Sequence, residues 1–458
     1  MTSPAAVVLA AGQGTRMRSR LPKVLHPLAG RTLIDHVLTA LAGVGATPIV
    51  VVTGHGADAV EAALAGRATT VRQDPQLGTA DAVRMALPSV PANATQLLVT
   101  MADVPLIPAE LLTNLVADQA ESGAAIVLLS ARLADPAGYG RIVRGPDGAC
   151  RAIVEDAEAD PAMRALDEVN AGTYCFDAAW LRANLGRVPL GPSGEHYLTD
   201  LVGLAVADGQ LVRVVEAPQP EMALGINDRV QLATAERLLR RRIAEGHMRN
   251  GVTIVDPDTT FIDATVEIGQ DARIEPWTVL NGQTVIGDEA VVGPGTRISD
   301  SRIGARTRVL GSWIEESEVG EDARIGPMSH LRPGSVVGRG SEIGNYAEIK
   351  QSRLGARVRQ HHFSYLGDAD VGDDVNIGAG TVTANFDGTT KHQTVIGDGA
   401  FIGVDTMLRA PVTVGAGAKT GAGSVVTRDV APGKTVVGVP ARPIELRRGR
   451  RGDDPPDA

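Results

Sequence analysis

Ile402-Gly-Val-Asp-Thr-Met-Leu408-Arg-Ala-Pro-Val-Thr-Val414-Gly-Ala-Gly-Ala-Lys-Thr420-Gly-Ala-Gly-Ser-Val-Val426 brings back an apolar or β-branched residue at every sixth position. The same step links Val319, Ile325 and Leu331, and again Val337, Ile343 and Ile349. A glycine follows many of these residues, as in Ile268-Gly269, Ile286-Gly287, Val371-Gly372 and Ile377-Gly378. A step of six is neither the 3.6-residue period of a helix nor the alternation of one long strand. It suits a solenoid in which each hexad is a short strand plus a turn and three hexads close a triangular coil. The apolar residue then points into the prism, and the glycine relieves crowding at the corner. Stacked coils bury one continuous core that no single hexad could form. From about Ile262 to Val426 the chain is expected to be a hexapeptide β-helix, because a β-sandwich would not hold one register for so long.

Working outward, 458 residues are enough for two or three domains. Aromatic residues make up only 3% and glycines number 53, as expected where much of the core is small β-helical layers. The net charge of −10 argues against a general polyanion-binding surface, so no nucleic-acid partner is expected. Cys150 and Cys175 are the only cysteines, which leaves neither a disulfide framework nor a CxxC metal site. No signal peptide and no membrane span are legible, and the expectation is a cytoplasmic protein with no membrane partner.

Near the N-terminus, the short apolar strand Ala5-Ala-Val-Val-Leu9 runs directly into Leu9-Ala-Ala-Gly-Gln-Gly-Thr-Arg-Met17. A glycine-rich loop between a strand and a helix lets backbone N–H groups approach a phosphate, and the helix N-terminus adds a favourable field. Arg16 and Lys23 add two cations. The loop fits neither GxxxxGK[ST] nor the full GxGxxG pattern. Strand, helix and strand then alternate through Pro48–Thr53, Ala57–Ala65 and Thr69–Arg72. Gln96–Thr100 leads into Met101-Ala-Asp-Val-Pro-Leu106. An Asp just beyond the carboxyl end of a strand in a doubly wound sheet is well placed to hold Mg²⁺ on a nucleotide phosphate. Asp228 to Arg249 reads as a connecting helix with Val230, Leu232, Ala233, Ala235, Leu238, Leu239 and Ile243 on its apolar face, and Arg237 and Arg240–Arg242 on a solvated one.

In the solenoid the register breaks between Ile377 and Ile396, nineteen residues apart. The polar stretch Thr383–Lys391 should therefore loop outward, and such loops on rigid scaffolds tend to carry binding residues. Just before it stands His361-His-Phe-Ser-Tyr-Leu-Gly-Asp368, flanked in sequence by Arg332, Lys350 and Lys391. A histidine there suits general-base work, because its pKa lies close to working pH.

LAAGQGTRM, LPKVLHPLAG, Gln73 with Gln76-Leu-Gly-Thr-Ala80, ADVPL, Gly138-Tyr-Gly-Arg141, Ile153-Val-Glu155, Val169-Asn-Ala-Gly172 and Gly225-Ile-Asn-Asp-Arg229 occur in that order. They resemble the sugar-1-phosphate nucleotidyltransferases. Joined to a long hexapeptide β-helix, the chain is similar to the bifunctional N-acetylglucosamine-1-phosphate uridyltransferase and glucosamine-1-phosphate N-acetyltransferase family, apart from its last dozen residues.

That resemblance implies an α/β architecture: a Rossmann-like nucleotidyltransferase domain (1–228), a helical linker (229–249) and a left-handed parallel β-helix (250–446); the tail 447–458 lies outside it and is expected to be disordered from its mix of basic, acidic and proline residues. It implies two reactions that feed cell-envelope precursors. Acetyl-CoA acetylates glucosamine 1-phosphate, and UTP then converts the product to UDP-N-acetylglucosamine, releasing pyrophosphate. Leu9, Ala10, Ala11 and Gly12 would contact the uridine nucleotide; Arg16 and Lys23 would hold its phosphates and stabilise the departing pyrophosphate. Gln73, Gly78 and Thr79 would read uracil, while Gly140, Glu155 and Asn170 hold the sugar and Asp103 and Asn227 bind Mg²⁺. His362 would be the acetyl-transfer base, with His361 a solvated neighbour. Arg332, Lys350, Tyr365, Asn376 and Lys391 would hold glucosamine 1-phosphate. Ala379, Asn385, Phe386, Val404 and Ala422 would line the acetyl-CoA site, and the oligomer would be a homotrimer. The chain departs from the family at Met101-Ala102 (usually a glycine before the Asp), at Phe386 (usually Tyr), at Val404 (commonly Ser) and in His361 and Phe363 around the base. Two other readings compete: a nucleotidyltransferase whose β-helix only oligomerises or binds a regulator, and a non-catalytic nucleotide-sugar sensor.

Overall fold

The computed structural model describes residues 3–192 and 194–444, and the chain divides into two units, Met1–Leu239 and Arg240–Ala458. The tail expected at 447–458 lies outside the described residues.

In the first unit the apolar runs Ala5–Ala10, Ile49–Thr53 and Gln96–Met101 pair in parallel at the centre of one sheet. Covered on both faces, such strands read as continuous apolar runs rather than alternations. The sheet order is Val212–Glu216, Ile126–Arg132, Glu168–Asp177, Gln96–Met101, Ala5–Ala10, Ile49–Thr53, Thr69–Arg72. Glu168–Asp177 runs antiparallel to both neighbours, so the sheet is mixed where a purely parallel one would be simplest. The registers Leu9↔Met101 and Ala10↔Thr53 bring the carboxyl ends of the three central strands to one edge, with Gly12, Gly54 and Asp103 just beyond it.

The helix Arg229–Arg249 is capped by Asp228, whose carboxylate accepts from the N–H groups of Val230 and Gln231 at 2.9 and 2.8 Å. The division between the two units falls inside it. Its buried stripe is Ala235, Leu239 and Ala244, narrower than the sequence suggests. Val230 is 77% exposed in the first turn, where nothing packs over it. Arg240 also departs from the solvated face. It pairs with Asp263 at 3.3 Å and lies 5.3 Å from the centre of the Phe261 ring, a cation–π contact that draws it inward.

The second unit is a three-sided parallel β-helix. Thr253–Ile254, Phe261–Ile262 and Glu267–Ile268 begin three sheets of 12, 10 and 9 strands, and Arg273–Ile274 returns to the first. The residues picked out by the six-residue step (Val319, Ile325, Leu331, Ile402, Leu408 and Val414 among them) are buried inside the prism, except that Ile268 in an early coil is half-buried. At one edge, hydroxyls of Thr278, Ser312, Thr381 and Thr406 donate to a carbonyl two or three residues earlier and close the turn. At another, glycines stack coil on coil. A Cβ added to Gly287 would lie 2.6 Å from Ala305 N, and one on Gly304 would lie 2.5 Å from Gly320 C. The backbones pass too closely there for any side chain. Among the described residues no helix is long and apolar enough to cross a membrane.

Gly304→Ala should force neighbouring coils apart and destabilise the second unit by roughly 1–3 kcal/mol, the usual cost of overpacking a tight site. Thermal unfolding of the full chain checks this; an unchanged midpoint would mean that the coils separate freely at that edge.

Candidate functional site

Beyond the carboxyl edge of the first sheet lies a cleft lined by Leu9, Ala10, Ala11 and Gly12 on one side and by Gln73, Gly78 and Thr79 on the other, with Lys23 and Asp103 at its floor. The chain does not enter an α-helix after the glycine loop, as the sequence suggests. It makes a single 3₁₀ turn, Thr15–Met17, bracketed by Gly14 and Arg18 in the left-handed region. Three residues supply little helix field, so attraction for phosphate falls to backbone N–H groups and cations. Gly14 needs its missing side chain, because a Cβ would lie 2.7 Å from that of Lys23. Arg16 is exposed on the same turn and lines neither this cleft nor its neighbour. Its charge is nevertheless close enough to act on the Tyr139 phenol in the neighbouring cleft.

Gln73 is buried and donates from its amide to Gly78 O at 2.9 Å and to the Asp81 carboxylate at 2.8 Å. Both partners only accept, so the orientation of the amide is fixed and its carbonyl oxygen is the group available to the cleft. Gln76, unassigned in the sequence, donates to Ala11 O at 2.8 Å and ties the two walls together.

A second cleft adjoins the first through Thr79, Met101 and Asp103, and holds Gly140, Glu155, Asn170 and Asn227. The Lys23 ammonium meets the Asp103 carboxylate and also donates to Asn227 Oδ1 at 3.2 Å. Asn227, remote in sequence, is brought there by a backbone bond from Ile226 N to Asp103 O at 2.9 Å. Two oxygen donors thus converge on one cation position. Tyr139 accepts from Gly225 N at 3.1 Å and anchors the turn that carries Asn227; its place in the Gly138–Arg141 motif was the only signal for it. Met101 reaches over Gly172, whose Cβ would lie 3.0 Å from the Met101 side chain. Glu155 accepts from Thr199 Oγ1 at 2.8 Å. Burial raises its pKa above the ordinary value, and the carboxylates of Glu158, Asp200 and Glu195 push the same way. Cys150 and Cys175 are buried and free, with thiols pushed up to about 11 and about 12 by burial, which leaves them unreactive.

On the β-helix, Ala379, Val404 and Ala422 stand one above another on successive coils. Asp405 N bonds to Ala379 O at 2.7 Å and Gly423 N to Val404 O at 2.8 Å. One coil below, Gly380 N bonds to Phe363 O at 2.7 Å, so the turn bearing His362 is the foot of this column. His361 is more than the solvated bystander expected, since its Nε2 meets the Glu342 carboxylate at 2.8 Å.

Across the same face, at the far ends of the strands Ala347–Lys350, Ser364–Gly367 and Val382–Ala384, stand Lys350, Asp368 and Asn385; Tyr365 lies on the second strand. Arg332 pairs with Glu348 at 2.8 Å. Lys350 and Lys391 lie together: the direct contact with Lys391, followed by its charge, holds the Lys350 pKa below the usual value. The loop delivering Lys391 projects outward as expected. It is closed by a Phe386–Lys391 bridge and by Asp387, which accepts from Thr389 N and Thr390 N at 2.8 Å and meets His392 at 2.6 Å. Asn385 Nδ2 donates to Asp368 at 2.5 Å, and Phe386 is exposed at the loop. Asn376 is half-buried on the strand Asn376–Ile377 of the first sheet.

Residues 6–170 match the MobA-like NTP transferase domain, 257–352 the GMPPB C-terminal domain, and 393–428 the six-repeat bacterial transferase hexapeptide. The chain is similar to the bifunctional protein GlmU of Heliobacterium modesticaldum, 47% identical over 94% of each chain. It is 48% identical to that of Thermobifida fusca over 98% of this chain and 95% of the relative. With that of Mycolicibacterium vanbaalenii the identity is 44%, over 97% and 92%.

Glu155→Gln should stabilise the first unit at neutral pH, because it removes a buried charge and keeps an acceptor for Thr199. In the wild type the penalty is present above the raised folded pKa and vanishes as pH falls below the ordinary 4.5. The stability gap between variant and wild type should therefore close on acidification. Urea titrations at several pH values check this, and a gap independent of pH would contradict the buried-charge account.

Proposed function

The chain belongs to the family of bifunctional GlmU proteins, and from that membership we infer two transferase activities: N-acetylation of glucosamine 1-phosphate and uridylyl transfer to N-acetylglucosamine 1-phosphate. The observation that carries this reading is the coexistence in one chain of the cleft floored by Lys23, Asp103 and Asn227 and a coil surface bearing the Lys350–Lys391 pair. Two ammonium groups in contact repel each other, and a phosphate between them would turn that repulsion into attraction. A purely structural coil has no use for such a pair, which tells against the scaffold reading.

We assign uridylyl transfer to residues 1–228 and acetyl transfer to 250–446, with 229–249 between them. The Gln73 carbonyl suits the N3–H of uracil, a donor that cytosine lacks, and Gly78 and Thr79 close the base side. Gly140, Glu155 and Asn170 take the sugar. The sugar phosphate attacks the α-phosphorus of UTP and pyrophosphate leaves, so the protein's work is alignment and neutralisation of charge by Arg16 and Lys23. The donor set at Asp103 and Asn227, a carboxylate and an amide oxygen already gathered round the Lys23 ammonium, fits a hard cation such as Mg²⁺. Bound there, the ion would neutralise phosphate charge. On the β-helix, acetyl-CoA lies along Ala379, Val404 and Ala422, close to Asn385 and Phe386. His362 takes the proton of the attacking amine as the thioester opens. Both reactions take place in the cytoplasm.

Arg332, Lys350 and Lys391 grip the acceptor's phosphate near one end of the strand Ser364–Gly367, and His362 stands before the other end, about 10 Å away at ~3.3 Å per residue. Phosphate and amine sit on adjacent carbons of the sugar, a spacing that supports a site to which a neighbouring prism contributes. Trp277, Met328, Tyr346 and Phe363, each more than half exposed at turns along one edge, offer the apolar surface for such packing. These features support a homotrimer with shared acetyl-transfer sites.

Asp103→Ala should abolish uridylyl transfer and spare acetyl transfer, and His362→Ala should do the reverse; loss of both activities in either folded variant would contradict the two-site assignment. Co-expressed His362→Ala and Lys391→Ala chains, each inactive alone, should regain partial thiol release from acetyl-CoA in mixed oligomers. No recovery would place base and phosphate grip on the same chain.

A further inference from the structure

The inward column on the first sheet of the prism runs Val309, Ile325, Ile343, Gln360, Ile377, Ile402. Gln360 is 0% exposed at a position where Leu354 and Leu366, six residues to either side, are aliphatic. Its amide nitrogen donates to Ser364 Oγ at 2.8 Å, and Ser364 Oγ donates to the backbone carbonyl of His362 at 2.9 Å. The carbonyl oxygen of Gln360 is buried without a hydrogen-bond partner. Thr278, Ser312 and Thr381 tie their own turns with a hydroxyl and no carboxamide behind it, and Thr406 meets only the smaller inward hydroxyl of Thr420, at 2.9 Å. An aliphatic residue of the same size would fill the layer without orphaning an acceptor, so folding alone gives no reason for an amide here.

We propose that Gln360 is a positioning residue for His362, a role that rests on the assignment of His362 as the acetyl-transfer base. By donating to Ser364 Oγ, the amide leaves that hydroxyl one direction for its own proton, toward the His362 carbonyl. The turn 361–363 is then held from three sides. Gly344 lies below it, where any side chain would strike the His361 carbonyl, and Gly380 N bonds to Phe363 O above it. The Gln360–Ser364 pair holds it from inside the prism. The turn that carries the imidazole is thereby fixed at the foot of the column of Ala379, Val404 and Ala422, with the His361 ring edge-on to it at 6.4 Å between centroids. The buried amide exchanges packing stability for the direction of one side chain.

The test compares full-length wild type with Gln360→Met, Ser364→Thr, Ser364→Ala and His362→Ala, measuring thiol release from acetyl-CoA, uridylyl transfer and thermal unfolding. Gln360→Met should unfold at the same or a higher temperature. Its kcat for acetyl transfer should fall about tenfold, as expected for a misaimed base, with KM for acetyl-CoA and glucosamine 1-phosphate and the rate of uridylyl transfer unchanged. Ser364→Thr should keep activity and Ser364→Ala should lose it to a similar degree. An unchanged kcat in folded Gln360→Met, or a fall accompanied by a lower unfolding temperature and raised KM values, would overturn the proposal. Retained thiol release in His362→Ala would instead remove the base assignment on which it stands.

Discussion

Backbone hydrogen bonds from each coil of the prism to the next are the constraint on which the second unit depends. Gly304 N bonds to Val319 O at 2.7 Å and Gly320 N to Val337 O at 2.8 Å, and the pattern repeats along the solenoid. Bonds this short demand that turns stack closely, which is why glycine follows the inward residue at one edge. They also demand equal layers, which is why each inward position takes a residue of similar size. Once those two conditions are met, the position of every outward side chain follows from its number in the repeat. Ala379, Val404 and Ala422 form a column for this reason and need no direct contact with one another.

The first unit solves its problem differently. Its central strands are buried on both faces and end together, and the loops beyond those ends are free to differ. Lys23, Asp103 and Asn227 come from three separate loops, and two hydrogen bonds from backbone N–H groups, Ile226 N to Asp103 O and Gly225 N to the Tyr139 hydroxyl, bring the last of them home. Charge then gathers the three side chains. The rigid sheet sets where the loops begin, and a few polar bonds decide where they finish.

This difference explains what could be read in the sequence. The six-residue step made the prism, its inward residues and its outward loop legible, because a repeat restates its rule at every turn. The strand at Ala5 and the loop after it were legible from their apolar run and glycines. The pairing of Glu168–Asp177 antiparallel to its neighbours was not, since strand direction leaves no periodic trace. The 3₁₀ turn at Thr15 was also hidden, because Gly14 and Arg18 take left-handed conformations that only the folded loop demands. Asn227 entered by resemblance alone, as no local pattern links it to Asp103. Val230 and Arg240 were misplaced on the connecting helix because an apolar face judged by composition ignores what packs over it. Gln360 carried a plain signal, a carboxamide between Leu354 and Leu366 in a six-residue run, and its meaning came only with the contact to Ser364.

Because Phe363, Ala379, Val404 and Ala422 occupy turns on successive coils, the edge that bears them is graduated like a ruler. Strands stack at about 4.8 Å, so distance from the His362 turn is counted in whole layers. A thioester donor laid along that edge, as proposed, would have its reach matched by a number of coils rather than by the shape of any one pocket. Inserting or deleting a complete coil below the column would leave this match intact. The same change within it would shift the donor's far end by one full graduation, so the two regions of the prism differ in how freely their length can vary.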